Sequence, residues 1–157
     1  MPCLKKGDFT MVESGAIVDH LESTHPEPKL MVDGMEEAVQ LQSSLFPAIA
    51  KFIKSKEFQA DLEQGLLDQA QKLDDHLKSK GSKYLAGNQI SLVDFNLAPK
   101  LFHMDTTLAH FHPETHEKLK EMTALKAYME TMFNEESFKN TLYPTETVIW
   151  GWSAARG

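Results

Sequence analysis

The chain has 157 residues, enough for one well-buried domain and part of another, and too few for two domains of ordinary size. Hydrophobic residues at 41% and charged residues at 25% describe a globular protein, while a net charge of -7 disfavours nonspecific nucleic-acid binding, which needs a basic face against phosphates. The single cysteine, Cys3, excludes an intrachain disulfide framework and fits a reducing compartment. No apolar run approaches the ~18 residues of a membrane span, and neither a signal-peptide core nor an Arg-rich leader opens the sequence. The expected compartment is the cytoplasm, or a plastid if a leader precedes Met1.

Cys3-Leu4 and Phe9 to Val12 are short apolar or β-branched pieces around Lys5-Lys6-Gly7-Asp8, a pattern that predicts a β-hairpin. Ser14 then opens an amphipathic helix with Ile17, Val18 and Leu21 on one face, its hydroxyl placed to cap the first turn. That helix should stop before Pro26, and His25-Pro26-Glu27-Pro28 reads as an extended linker.

From Met35 onward the periodicity is helical. Leu41, Leu45, Ile49, Phe52 and Ile53 form one stripe, which Pro47 should kink or interrupt. Phe58, Leu62, Leu66, Leu73 and Leu77 form a second, with Gly81 where that helix should end. Ser91 and Asp94 make a capping-box pair, flanked by Ile90 and Phe95 in the positions of a hydrophobic staple. The helix they open carries Leu97, Leu101 and Met104, and Pro99 inside it predicts a bend. Leu119, Met122, Leu125, Met129 and Met132 give a further periodic segment, followed by a short one at Glu135 to Phe138. Val148 to Trp152 is too apolar for a free tail and should pack back on the body.

Other clusters are weaker. His112 and His116 have one-face spacing, but Pro113 lies between them and no H-E-x-x-H pattern accompanies them, so no metal is expected. His20, His76, His103 and His110 read as surface or packed helical residues. Asp74-Asp75 and Glu135-Glu136 read as solvated faces.

Taken in order, Met1-Pro2-Cys3-Leu4, Glu13-Ser14, Tyr84-Leu85-Ala86-Gly87, Ile90 to Phe95, Ala98-Pro99-Lys100-Leu101 and Val148-Ile149-Trp150-Gly151-Trp152 resemble the glutathione-dependent dehydroascorbate reductases of the glutathione-transferase superfamily. The resemblance covers the whole chain. It implies a mainly α fold: a glutathione-transferase C-terminal helical domain over 35–157, preceded by a partial thioredoxin-like domain over 1–28.

It also implies roles. Pro2 matches a cis-proline and Met1 the residue before it, whose backbone meets glutathione. Glu13-Ser14 matches the pair that holds the γ-glutamyl end, a site that suits helix-terminal amides and an acid for the ammonium; the alternative is that Ser14 only caps its helix. Trp152 matches a tail tryptophan near the acceptor pocket, with a tail anchor as the competing reading.

The family's nucleophile sits in a Cys-Pro-Phe-type motif that this sequence lacks. Cys3 follows the cis-proline position on a strand and reads as a buried structural thiol. Glutathione as co-substrate and dehydroascorbate as acceptor are therefore expected of a complete parent, with no catalytic residue in this chain and little activity from it alone. The parent is expected to be a monomer, and the chain as given to self-associate. Two other readings remain: a non-catalytic transferase-fold binding or scaffold module, and, ranked last, a membrane-inserting chloride-channel-like protein.

Overall fold

The structure is a computed structural model and describes residues 2–156. Its first elements are a two-stranded antiparallel sheet, β1 (Cys3–Lys6) and β2 (Phe9–Val12), with Cys3 opposite Val12 and Lys6 opposite Phe9. The register leaves Gly7 and Asp8 as a two-residue turn, and Gly7 takes a φ of 60°, which a residue without Cβ adopts at no steric cost. Helix α1 (Ser14–Thr24) packs on the hairpin and ends, as the Pro26 signal requires, at His25. Its apolar residues form the expected face, yet none is buried, and Leu21 is exposed.

The remaining helices form the body. They are α2 (Met35–Ser43), α3 (Leu45–Lys54), α4 (Ala60–Lys80), α5 (Leu92–Phe111), α6 (Pro113–Lys120), α7 (Thr123–Asn134), α8 (Glu136–Lys139) and α9 (Thr145–Ala155). Pro47 acts as the sequence suggests, but the break falls ahead of it, at Ser44. A proline ring clashes with the carbonyl four residues back, so the preceding helix closes and Pro47 enters the first turn of α3, where its missing N–H costs nothing. The second stripe is real from Leu62 onward, whereas Phe58 precedes α4, is exposed, and turns an edge toward the buried Phe52 ring at 6.2 Å. Gly81 terminates α4 with φ 57°, its amide donating to the Leu77 carbonyl at 3.0 Å.

The core runs through α3, α4, α5 and α7, with Leu45, Ile49, Phe52, Leu66, Leu73, Leu97, Leu101 and Met104 fully buried. Each such aliphatic or aromatic side chain contributes about 1.5–3 kcal/mol when removed from water. The segment around Leu119 to Met132 is two helices rather than one, interrupted at Met122, with the apolar positions buried in both. Helix α9 lies against α5 and α3 with Val148 and Trp152 inward, while Trp150 is 74% exposed.

Asp94 is the polar centre of the body. Ser91 and Asp94 form the expected capping box, in which the Ser91 amide and hydroxyl donate to Asp94 Oδ2 at 2.9 and 2.7 Å. Its other oxygen accepts the Leu85 amide at 3.0 Å and the Tyr128 hydroxyl at 2.9 Å. Burial, and next the Asp94 charge, push the Tyr128 phenol up, so it stays a donor. The Tyr84 to Gly87 turn presents Leu85 on both sides, because its carbonyl also meets His76 Nε2 at 2.9 Å.

Two expectations about acidic pairs are corrected. Asp74 is fully buried and not on a solvated face: its Oδ1 accepts the Ala124 and Leu125 amides, both at 2.9 Å, so a residue of α4 caps α7. Burial alone would raise its carboxyl, but Lys78, at 2.6 Å, and the two amides hold it below the usual range. Glu135 likewise accepts the Tyr84 hydroxyl at 2.9 Å.

Candidate functional site

Glu13 joins β2 to α1 and has φ 76° and ψ 118°, the one positive-φ residue other than glycine among the described residues. Such a conformation costs on the order of 1–3 kcal/mol and tends to mark places where backbone position matters. It puts Ser14 at the first position of α1. The Glu13 carbonyl accepts the Ile17 amide at 3.0 Å, and no side chain caps the helix. The expectation that Ser14 caps α1 is therefore not met; its exposed hydroxyl stands at the helix N-terminus, free for another partner.

The linker sets what Ser14 faces. The Leu92 amide, first in α5, donates to the Leu30 carbonyl at 3.1 Å, and Gln89 Nε2 donates to the Lys29 carbonyl at 2.6 Å. These bonds hold the linker after α1 on the N-terminal end of α5. Between them lies a cleft of about 430 Å³ lined by Ser14, Val18 and Asp19 of α1, Met35, Val39 and Gln42 of α2, and Leu92, Phe95 and Asn96 of α5. It has an apolar floor, with a hydroxyl, a carboxylate and two amides at its edges. That combination suits a small polar ligand with both ammonium and carboxylate groups.

Helix α5 continues this face toward the tail. Lys100 Nζ donates to Asn96 Oδ1 at 2.5 Å and Gln42 Oε1 at 3.4 Å, and burial pushes its ammonium pKa down. One turn on, Trp152 Nε1 donates to His103 Nδ1 at 2.9 Å, and His103 Nε2 lies 2.6 Å from the Tyr143 hydroxyl. Since the indole can only donate, His103 accepts at Nδ1 and carries its proton at Nε2; burial pushes its pKa down and keeps it neutral. Trp152 is 8% exposed, and Phe46 lies 6.3 Å from its ring. A second, more apolar groove of about 460 Å³ on α5 is lined by Phe95, Pro99 and Phe102, with Phe138 and Tyr143 opposite.

The other named residues fall as follows. Pro2 and Glu13 are exposed beside the hairpin, and Met1 lies outside the described residues. Cys3 is exposed, not buried, because only α1 covers the two-stranded sheet among the described residues. His116 meets Asp105 Oδ1 at 2.8 Å, and His112 packs on the Phe52 ring at 4.3 Å, so the two imidazoles have separate partners. Asp19, Gln42 and Asn96 were not singled out from sequence. Asp19 could have been noticed, since it follows Ser14 on the same helix; Gln42 and Asn96 reach the cleft only through tertiary packing.

The model of the glutathione S-transferase C-terminal domain matches residues 37–136. The glutathione S-transferase DHAR2 of Arabidopsis thaliana is 34% identical over 98% of this chain and 70% of its own length. The chain belongs to the glutathione S-transferase family. A second Arabidopsis relative, the chloroplastic glutathione S-transferase DHAR3, is 36% identical over 97% of the chain and 57% of its own length. The crystal structure of Chlamydomonas reinhardtii dehydroascorbate reductase superposes with a TM-score of 0.79 at 30% identity, over 99% of this chain and 72% of that one. These likenesses put this transferase-family chain on the dehydroascorbate reductase branch. It spans from just over half to about 70% of the curated relatives it matches.

Proposed function

We propose that this chain carries part of the glutathione site and the helical body of a glutathione-dependent dehydroascorbate reductase. The observation that carries the reading is the cleft that unites Ser14 and Asp19 with Gln42 and Asn96. Ser14 in that cleft, with Glu13 before it, holds the γ-glutamyl end of glutathione, and Pro2, with Met1 before it, offers the backbone contact. The helical unit corresponds to 35–157 and the glutathione-holding remnant to 1–28. Trp152 borders the acceptor side, fixed there by His103. Glutathione is the co-substrate, no metal takes part, and the cytoplasm is the working compartment; relatives named chloroplastic and cytosolic both occur.

In the reaction a thiolate attacks dehydroascorbate, and glutathione then resolves the cysteine through a mixed disulfide, so that the acceptor gains the two electrons that the thiols lose. We assign Cys3 no nucleophilic role, because it lies on the hairpin strand β1 and not in the Cys-Pro-Phe-type motif that the resemblance implies for the nucleophile. The test is turnover. The 157-residue chain should not reduce dehydroascorbate above the uncatalysed rate, and a longer chain carrying a Cys-Pro motif ahead of Met1 should; in that chain Ser14→Ala should raise KM for glutathione more than it lowers kcat. Turnover by the 157-residue chain that disappears in Cys3→Ser would overturn the reading.

A further inference from the structure

Arg156, at the end of α9, is half-buried, and its guanidinium reaches well past its own helix. One nitrogen donates to the Ile53 carbonyl in α3, the other donates to the Lys56 carbonyl at 3.3 Å, and the plane stacks over the Phe111 ring at 4.7 Å. The first nitrogen also lies 3.4 Å from His112 Nε2, at the junction of α5 and α6. A guanidinium has donors and no acceptor, so this contact exists only when Nε2 accepts. That puts the imidazole in its neutral form, with the proton on Nδ1.

His112 is fixed from both sides. Its amide donates to the Leu108 carbonyl at 2.9 Å, its carbonyl accepts the His116 amide at 3.0 Å, and its ring lies 4.3 Å from the buried Phe52 ring. The acid that faces it is Glu63 of α4, and that carboxylate is already committed: Oε1 accepts the Thr115 hydroxyl at 2.6 Å, and Oε2 accepts the Lys118 ammonium at 2.8 Å. Of the other titratable groups on α5 and α6 nearby, His116 is held by Asp105 Oδ1 at 2.8 Å, and His110 meets the Phe111 ring edge-on at 4.6 Å. None of these groups is a free carboxylate that could neutralise a second cation beside Arg156. Burial, and next the Arg156 charge, push the His112 pKa down against a smaller upward pull from Glu63.

We infer that His112 and Arg156 form a pH-operated latch that holds the last turn of α9 on α3, closed while the imidazole is neutral and opened by its protonation. A proton on Nε2 replaces an acceptor with a donor and sets two cations 3.4 Å apart. The arginine is the partner that leaves. An imidazolium gains from the face of the Phe52 ring and is anchored by two helices, whereas the guanidinium ends a flexible stem and regains rotamer freedom on release. The latch is complete above the free imidazole value of about 6.5, and it is lost as pH falls through the lower value of the closed form. Trp152, one turn earlier, keeps its separate bond to His103, so the movement is confined to the end of α9 and uncovers the Phe111 ring and the Ile53 carbonyl. None of this depends on the proposed function.

The experiment is backbone relaxation and histidine-ring NMR of the 157-residue chain, from about pH 8 to about pH 5, in the parent, His112→Gln, Arg156→Met and His103→Gln. In the parent the order parameters of Ser153 to Arg156 should fall from about 0.85 to below about 0.6, in step with the shifts of the His112 ring. His112→Gln should abolish that pH dependence, because glutamine does not titrate, while His103→Gln should retain it. Arg156→Met should leave the turn mobile at every pH and move the His112 pKa up, since the cation beside it is gone; a merely structural arginine would not move that titration. Order retained across the whole range in the parent, acid loosening that persists in His112→Gln, or a His112 titration unchanged in Arg156→Met would overturn the inference. Unchanged amide shifts in α4 and α7 show that each variant is folded.

Discussion

Asp94 shows how one side chain can do more than its local motif implies. As a capping-box partner alone it would contribute about 1 kcal/mol. In the fold it satisfies Ser91 twice, Leu85 and Tyr128, with no exposure to water. Ser91→Ala and Tyr128→Phe should each cost about 1 kcal/mol, one hydrogen bond apiece, whereas Asp94→Ala strands several buried donors and should cost about 3 kcal/mol or more. Urea unfolding of the three variants checks the order; equal losses would mean that the bonds to Leu85 and Tyr128 contribute nothing beyond the cap. Glu13 lies at the other extreme, exposed and strained. Glu13→Gly should stabilise the fold or leave it unchanged, since glycine adopts φ 76° without a Cβ clash, and a loss of more than about 1 kcal/mol would show that its side chain is holding structure.

Between elements, charge and hydrogen bonding tie helix to helix. Asp74 of α4 caps α7, and its carboxyl pKa is below the unfolded value of about 3.9. The stabilisation is therefore complete above that pH and disappears as pH falls through it toward the folded pKa. Asp74→Asn should lower stability at neutral pH and flatten the acid limb of the stability curve, as read by denaturant midpoints across that range. His103 works through a base. Its folded pKa is depressed below about 6.5, so the neutral form favours the native state above that value, and stability falls as pH drops through it while the unfolded chain takes up protons first. Trp152 emission should shift at acid pH as α9 loosens, and His103→Gln should remove that transition; an unchanged transition would assign it elsewhere. A further tie is Arg156, whose guanidinium caps the end of α3 at the Ile53 carbonyl and stacks over Phe111 at 4.7 Å.

For the whole molecule, the contrast lies between a packed helical body and an uncovered start. Phe9, Val12 and Leu21 are exposed, α1 buries no residue, and two strands alone are marginal in water. The 157-residue chain should therefore associate with itself as concentration rises, through this face. Leu21→Glu combined with Val12→Lys should reduce that association without changing the unfolding of the body. Sedimentation that shows a monomer at every concentration would count against it. No described helix is long and apolar enough to cross a membrane.

The sequence by itself determined the elements with strong local causes: the hairpin around Gly7, the stop before Pro26, the Gly81 terminus, the Ser91–Asp94 box and the apolar stripes of α3, α4 and α7. Each depends on backbone preference or on residues within a turn or two, which a linear reading can see. It also carried the family, because spaced motifs such as Tyr84 to Gly87 and Ala98 to Leu101 are themselves linear. Tertiary structure decided what those residues touch. Asp74 looked solvated because its partners, Ala124 and Leu125, lie on another helix; Ser14 looked like a cap until Glu13 took a backbone conformation that no residue pattern announces. Cys3 looked buried because a strand is usually covered on one face. Gln42, Asn96 and Lys100 become one polar junction only when α2 is laid beside α5. Burial and long-range hydrogen bonding depend on which surfaces meet, and that is set by the packing of the whole core, not by the neighbours along the chain.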